Sequence, residues 1–494
     1  MIDRLPALPA ADSPLAWVLA LPLASAAVLA LWRDGRGAAW ANVLSTIATF
    51  VAALALLVAP PPPSRLFFVD SFNLYLVVLT AFVGMTTAWF SAAYLARGGE
   101  PAKLAPHHLR FYHAMFQAFL FTMLVALTAN NTGVMWVAVE AATLTTVLMV
   151  SLYRTPEAIE AAWKYFILCS VGIGLALFGT ILVYLAAQPV LGDGANAMAW
   201  TELMPRAAAF QPDLLNLAFV FVLVGYGTKV GLAPLHAWLP DAHAEGPTPI
   251  SAVLSGLLLN VALYALLRFK MLISANGATL APGPLLVMMG LSSLFVSAFM
   301  LYRRGDVKRL FAYSSIEHMG VIVFAFGIGG PLANFAALLH MAMHALTKSA
   351  VFFAVGLITQ TAGTKRIADI RGLTVSHPAL GWGLVVAVLT IAGMPPMGVF
   401  VSEFLMLGAA FARHPLLAVP LALGLLLAFG ALLLRLQSLA FGPPSLAPGG
   451  NGPRGVTFLA LLPMGLHLAL VLVAGVALPA VLAAWLRGIA EMLG

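Results

Sequence analysis

The sequence predicts an all-α, polytopic membrane protein with about fourteen transmembrane helices. Three observations predict it. Of the 494 residues, 62% are hydrophobic and only 9% are charged, whereas soluble domains carry about 25% charged residues. The apolar residues gather into runs of about 20, the length that crosses a hydrocarbon core. Gly and Pro interrupt several of these runs, as they do in membrane helices more often than in soluble ones.

The runs start near Pro14, Ala39, Phe72, Phe111, Gly133, Ala162, Leu214, Pro249, Gly283, Val307, Leu332, Ala379, Leu416 and Val456. The first, from Leu15 to Trp32, resembles a signal peptide in isolation, but many more apolar runs follow, so it reads as the first span. A Pro-rich stretch, Pro60 to Pro63, is a short external linker, and no long soluble domain interrupts the spans.

Basic residues orient the chain. Loops after odd-numbered spans hold Arg33, Arg36, Arg97, Lys103, Arg110, Arg154, Arg303, Arg304, Lys308, Arg309, Lys365, Arg366, Arg371 and Arg454. The opposite side and the termini hold half as many: Arg4, Arg65, Arg206, Arg268, Lys270, Arg413 and Arg487. The positive-inside rule then puts both termini outside the cytoplasm. The net charge of +7 therefore marks loop topology and not nucleic-acid binding. Four basic residues, Lys164, Lys229, Lys348 and Arg435, fall within spans. The single cysteine, Cys169, excludes an intramolecular disulfide framework and a cysteine-ligated iron–sulfur cluster within this chain. No cofactor is expected here; electrons, if they move, are carried by another subunit.

A weak internal repeat is visible. Lys164, Gly172 and Gly179 each precede Lys348, Gly356 and Gly363 by 184 residues, and Gly231 and Pro234 precede Gly393 and Pro396 by 162. Repeated halves with interrupted helices are typical of secondary transporters, where the breaks line the ion path near the midplane.

Against this apolar background several titratable residues stand out: Glu140, Lys164, Lys229, Glu317, His318, His340, His344, Lys348 and Glu403. A charge at mid-membrane costs at least ~2.5–3.5 kcal/mol, so such residues are functional candidates by default. His340, His344 and Lys348 recur at i, i+4 and i+8 and share one slowly drifting helix face. Three titratable groups in a row suit a proton relay better than three independent structural contacts. Lys229 and Lys164 each need an acidic partner, and Glu140 is the obvious one for one of them. Such a pair can switch, holding its lysine charged when closed and releasing a proton when open; for Lys164 a static ion pair is a serious competitor. The run GIGLALFG, Gly172 to Gly179, superficially matches a dinucleotide fingerprint but has no strand before it, so it reads as helix packing. No HExxH motif or Cys/His cluster points to a metal.

The stretch PLHAWLPDAHAEGPTPISAVLSG, Pro234 to Gly256, with RRGDVKRLFAYSSIEHMG and HMAMHALTKSAVFFAVG further on, resembles the antiporter-like proton-translocating subunits. These subunits occur in respiratory complex I, multi-subunit sodium/proton antiporters and membrane-bound hydrogenases. SSIEHMG followed by PLANFAALLHMAMH looks most like the component F branch of hydrogenase-4-type complexes. The resemblance implies two inverted five-helix repeats, helices four to eight and nine to thirteen, with helices seven and twelve broken. It divides the chain into N-terminal helices (1–109), a first repeat (110–275), a second repeat (276–442) and a C-terminal helix (443–494).

It also implies roles. Glu140 and Lys229 match the family's fifth-helix and seventh-helix ion pair, His340, His344 and Lys348 its central relay, and Glu403 its exit residue. Lys164, His236, Asn260, Glu317 and His318 are secondary candidates. Three departures stand out. The exit residue is glutamate where many members have lysine. The eighth helix offers Ser255 or Asn260 where the family usually supplies a lysine or histidine. The chain also leaves no room for the long lateral helix of the largest subunit of this class.

The resulting expectation is a proton-translocating subunit in the bacterial inner membrane, driven by redox chemistry elsewhere. Its partners would be other antiporter-like membrane subunits and a peripheral hydrogenase-like, iron–sulfur module. Three alternatives stay open: a cation/proton antiporter with a sodium site around Ser402 and Glu403, a structural scaffold, and a membrane partner in inorganic-carbon uptake.

Overall fold

The computed structural model describes residues 6, 8–32, 35–96, 106–445 and 456–494. Arg4, Arg33, Arg97, Lys103 and Arg454, which entered the charge tally, lie outside them. The described residues are nearly all helical, with three isolated β-bridges in the connecting loops.

Fourteen spans follow one another: α1 (Pro14–Leu31), α2 (Gly35–Ala55), α3 (Ser71–Ala96), α4 (Pro106–Thr128), α5 (Thr132–Val150), α6 (Pro156–Leu191) and α7 (Pro212–Val230). Next are α8 (Thr248–Ser274), α9 (Gly283–Arg303), α10 (Val307–Ile328) and α11 (Pro331–Ala362). Then come α12, split into α12a (Pro378–Ile391) and α12b (Gly398–Arg413), α13 (Pro415–Ala440) and α14 (Phe458–Val476). Thirteen of these are long and apolar enough to cross a bilayer unaided; α12 is made of two shorter halves. A short helix, Ala480–Met492, follows α14.

The helix starts are written in the sequence. Proline opens α1, α6, α7, α11, α12a and α13, where its missing N–H costs nothing and its fixed φ suits the helix. Ser13, Asn131, Thr155 and Asp306 cap α1, α5, α6 and α10 through side-chain oxygens, satisfying otherwise orphaned backbone donors.

The spans are not equivalent. The apolar stretches of α8 and α11 are wholly buried and that of α10 nearly so; these three form the centre of the bundle. The outer helices leave broad apolar faces exposed, as lipid or a neighbouring subunit requires. Gly172 of α6 faces Thr228 of α7, and Gly179 faces Val222, so the GIGLALFG run serves helix packing.

Both breaks follow the same local design. The chain leaves α7 through Gly231 at φ 80° and leaves the turn after α12a through Gly393 at φ 74°, a region that residues with a Cβ rarely adopt. Ala233–Pro234 and Pro395–Pro396 are cis. The first break continues into a short helix, Trp238–Glu245, which packs on α10.

One expectation needs correction. Lys164 is not buried between helices. Its side chain is 49% exposed and pairs with Glu160 at 2.6 Å and Asp241 at 3.4 Å. The reason is length. The 36 residues of α6 span about 54 Å, well beyond a ~30 Å hydrocarbon core, so its first turns stand outside. Lys348, its counterpart in the sequence repeat, is fully buried.

Candidate functional site

The first cluster forms where α5, α6 and α7 meet. Lys229 occupies the last turn of α7, is wholly buried, and stands 3.8 Å from Glu140 of α5. Its Nζ has no hydrogen-bond partner. Glu140 is held separately: it accepts from Ser170 Oγ at 2.8 Å and from Thr143 Oγ1 at 3.1 Å. The carboxylate is thus anchored by hydroxyls, while the lysine is attracted by charge across a gap too wide for a hydrogen bond. Trp238 Nε1 donates to the Thr228 carbonyl at 2.8 Å, tying the end of α7 to the helix beyond the break.

The second cluster lies between α10, α11 and α12b. His318 and His340 stack with ring centroids 5.1 Å apart, and His318 Nδ1 lies 3.0 Å from His340 Nε2. His340 Nδ1 is 2.8 Å from Ser402 Oγ. That hydroxyl has the Val399 carbonyl to donate to, at 2.8 Å, so it accepts from His340 Nδ1–H. His340 Nε2 then accepts from His318 Nδ1–H, an assignment made from the network. Glu403 approaches His318 Nδ1 to 3.7 Å, and Glu317 lies 3.9 Å from its other nitrogen. The ring of His344 sits 5.6 Å from that of His318, and both its nitrogens lack hydrogen-bond partners. Lys348, one turn further on, donates to the Phe311 carbonyl of α10 at 3.0 Å.

The eighth span is bridged by hydroxyls. A π-helical turn, Leu254–Leu258, interrupts α8 and sets Ser255 Oγ 2.6 Å from Ser315 Oγ of α10. Ser315 also donates to the Phe311 carbonyl, at 3.0 Å, the same oxygen that Lys348 uses. Asn260 donates to Gly256 of its own span and to the Met341 carbonyl of α11, so it braces the relay helix. The α7 break closes on α10 as well: a Cβ at Gly231 would come within 4.0 Å of Ile316, which stands between Ser315 and Glu317.

Not every candidate joins these clusters. His236 sits in the turn after α7, its ring 6.1 Å from that of Tyr313, apart from both. Lys164 is on the outer surface, as described. Sequence reasoning missed Ser170, Thr143 and Ser315, because serine and threonine are ordinary in membrane helices and carry no signal of their own. It also missed His243, which is fully buried, stacks on Phe352 of α11 with centroids 5.0 Å apart, and has both nitrogens unpartnered. Beside it lies a cavity of about 320 Å³ whose lining includes Glu157, Glu245, Thr248, Lys308 and Lys365. Lys365 and Glu245 pair across it at 2.9 Å. These residues flank loops after odd-numbered spans, so the cavity opens on the basic side.

Among the described residues, His318, His340 and Glu403 bring three ligand-type atoms within 4.8 Å of one another. His318 Nδ1 and His340 Nε2 lie 3.0 Å apart, within hydrogen-bond distance of each other.

Residues 129–428 match the family described as NADH:quinone oxidoreductase/Mrp antiporter, transmembrane. The chain belongs to this family. A hydrogenase-4 component F homolog from Methylacidiphilum infernorum is 57% identical over 95% of this chain and 98% of its own length. Among solved structures, the fold is similar to a chain of the archaeal membrane-bound sulfane sulfur reductase (TM-score 0.83, 21% identity, 97% of each chain). It is also similar to one of the Mrp complex from Dietzia (TM-score 0.82, 19% identity, 97% of each chain). NADH:quinone oxidoreductase/Mrp antiporter relatives are subunits of multi-subunit membrane complexes, and this chain is an integral membrane protein of that kind.

Proposed function

We propose that this chain carries protons across the membrane as one subunit of a complex-I-related, hydrogenase-4-type complex, driven by a partner redox module. The observation that carries the reading is the buried set Lys348, His344, His318, His340 and Glu403. It holds five titratable side chains on three helices, with one direct imidazole–imidazole hydrogen bond of 3.0 Å at its centre. Burying these groups is costly unless their charge is managed or used, and imidazoles in series can hand on protons because each neutral ring has one donor and one acceptor nitrogen.

In this reading, protons enter near Glu140 and Lys229, on the cytoplasmic side. Opening of the pair changes the charge beside the α7 break. The hydroxyls of Ser255 and Ser315 link α8 to Lys348, protons pass along α11, and Glu403 releases them on the non-cytoplasmic side. Residues 110–275 and 276–442 act as two inverted repeats around this path. The chain lies in the bacterial inner membrane with both termini outside the cytoplasm. Other antiporter-like subunits flank it, and a hydrogenase-like, iron–sulfur module supplies the energy.

A sodium site at Ser402 and Glu403 is the less favoured reading, because the Ser402 hydroxyl is already committed to His340 and Val399. The test is redox-driven proton translocation by vesicles carrying the assembled complex. Lys229→Ala and Lys348→Ala should abolish it with assembly intact. Unchanged translocation in both variants would sink the proposal, and a strict sodium requirement would replace it with the antiporter reading.

A further inference from the structure

Arg435 takes no part in the relay and still sits inside a span. It lies five residues before the end of α13, about 8 Å in along the helix axis. A guanidinium at that depth needs compensation, yet among the described residues it donates only to the Tyr302 carbonyl. It lines a cavity of about 620 Å³ together with Arg366, Arg371, Gln437, Ser438 and Phe441. Asp369 pairs with Arg366 at 3.6 Å. Among the described residues no carboxylate lies within ion-pair distance of Arg371 or Arg435. Three guanidiniums therefore line one cavity whose lining, among the described residues, includes no carboxylate.

The surroundings say which anion fits. The cavity is built from the loops after α9, α11 and α13, all on the basic side. Phe441, in its lining, is 43% exposed, and Leu434, next to Arg435 on α13, is 55% exposed. Trp382, 54% exposed, packs edge-on against Phe441 with centroids 6.2 Å apart. Aromatic side chains at this level mark the water–hydrocarbon boundary. Basic pockets between helices on the cytoplasmic side take lipid head groups, and guanidinium forks match phosphate oxygens two at a time.

We propose that this cavity binds the phosphate head group of an anionic phospholipid, with Arg371 and Arg435 as its principal contacts and an acyl chain against Leu434 and Phe441. The site is independent of proton transfer and lies outside the relay.

The experiment uses the full chain, with whatever subunits accompany it, purified in mild detergent and stripped of lipid. Its thermal midpoint is measured after adding phosphatidylglycerol, phosphatidylcholine or inorganic phosphate. Phosphatidylglycerol should raise the midpoint by several degrees more than phosphatidylcholine. Arg371→Gln with Arg435→Gln should remove at least half of that difference, and native mass spectrometry should show one fewer retained lipid. If Arg435→Gln fails to fold, Arg371→Gln alone, in an exposed loop, should still lower the response, and Arg435→Lys should keep part of it. Equal responses in wild type and double variant would overturn the proposal. A shift reproduced by inorganic phosphate alone would overturn it in favour of a free-anion site. Loss of a partner subunit with the lipid response intact would overturn it in favour of an acidic protein contact.

Discussion

Lys229 Nζ stands 3.8 Å from Glu140 Oε2 and has no hydrogen-bond partner. The buried ammonium is therefore held by attraction alone, while its carboxylate partner is fixed by Ser170 and Thr143. An ion pair so arranged can part without breaking a hydrogen bond between its members, as a switch requires. Lys229→Ala should abolish redox-driven proton translocation and Glu140→Gln should lower it by about 100-fold or more, the effect of losing one positioned proton-transfer group. Dye quenching in inverted vesicles reads this, with subunit content measured in parallel.

Ser402 gives His340 Nδ1–H its acceptor. Ser402→Ala leaves that buried donor unpaired, which costs about 1–3 kcal/mol. The thermal midpoint should fall and translocation should drop severalfold. In a His340→Leu background the same substitution should cost little, since the donor is gone. An equal cost in both backgrounds would show that the two residues are not coupled.

Gly393 combines φ 74° with direct packing on the Glu403 carboxylate, so a side chain there would collide with it. Gly393→Ala should destabilise the chain by about 1–2 kcal/mol from the backbone alone. It should also displace the exit carboxylate, so translocation should fall further than the stability loss explains. A variant that is destabilised but pumps normally would remove Glu403 from the path.

The hydroxyl pair of Ser255 and Ser315 is 2.6 Å long and shares the Phe311 carbonyl with Lys348. Ser255→Ala and Ser315→Ala should each slow translocation, and the double variant should be no slower than the worse single one, because they serve one link. Additive effects would mean that each hydroxyl acts elsewhere.

Lys164 is exposed and shares its carboxylate Asp241 with Arg309. Exposed pairs of this kind contribute little. Lys164→Ala should leave translocation and assembly unchanged; a lost complex would instead mark this face as a subunit contact.

What the sequence determined by itself is local and one-dimensional. Runs of apolar residues set the spans, because a bilayer demands about 20 of them in a row. Gly231, Pro234, Gly393 and Pro396 recurred at one spacing, and the resemblance read them as helix breaks, because Gly and Pro end helices readily. The spacing of His340, His344 and Lys348 placed them on one face, because helical periodicity needs no partner. The tertiary structure decided everything that depends on how helices rotate and slide against each other. It put Lys164 outside and Lys348 inside, although the two correspond in the sequence repeat, because α6 overshoots the hydrocarbon core while α11 runs through the centre of the bundle. It joined His318 to His340 across 22 residues and His340 to Ser402 across 62. It brought Ser255 of the eighth span within 2.6 Å of Ser315 on α10. Contacts between helices follow from packing angle and register, and hydropathy and periodicity along one chain record neither.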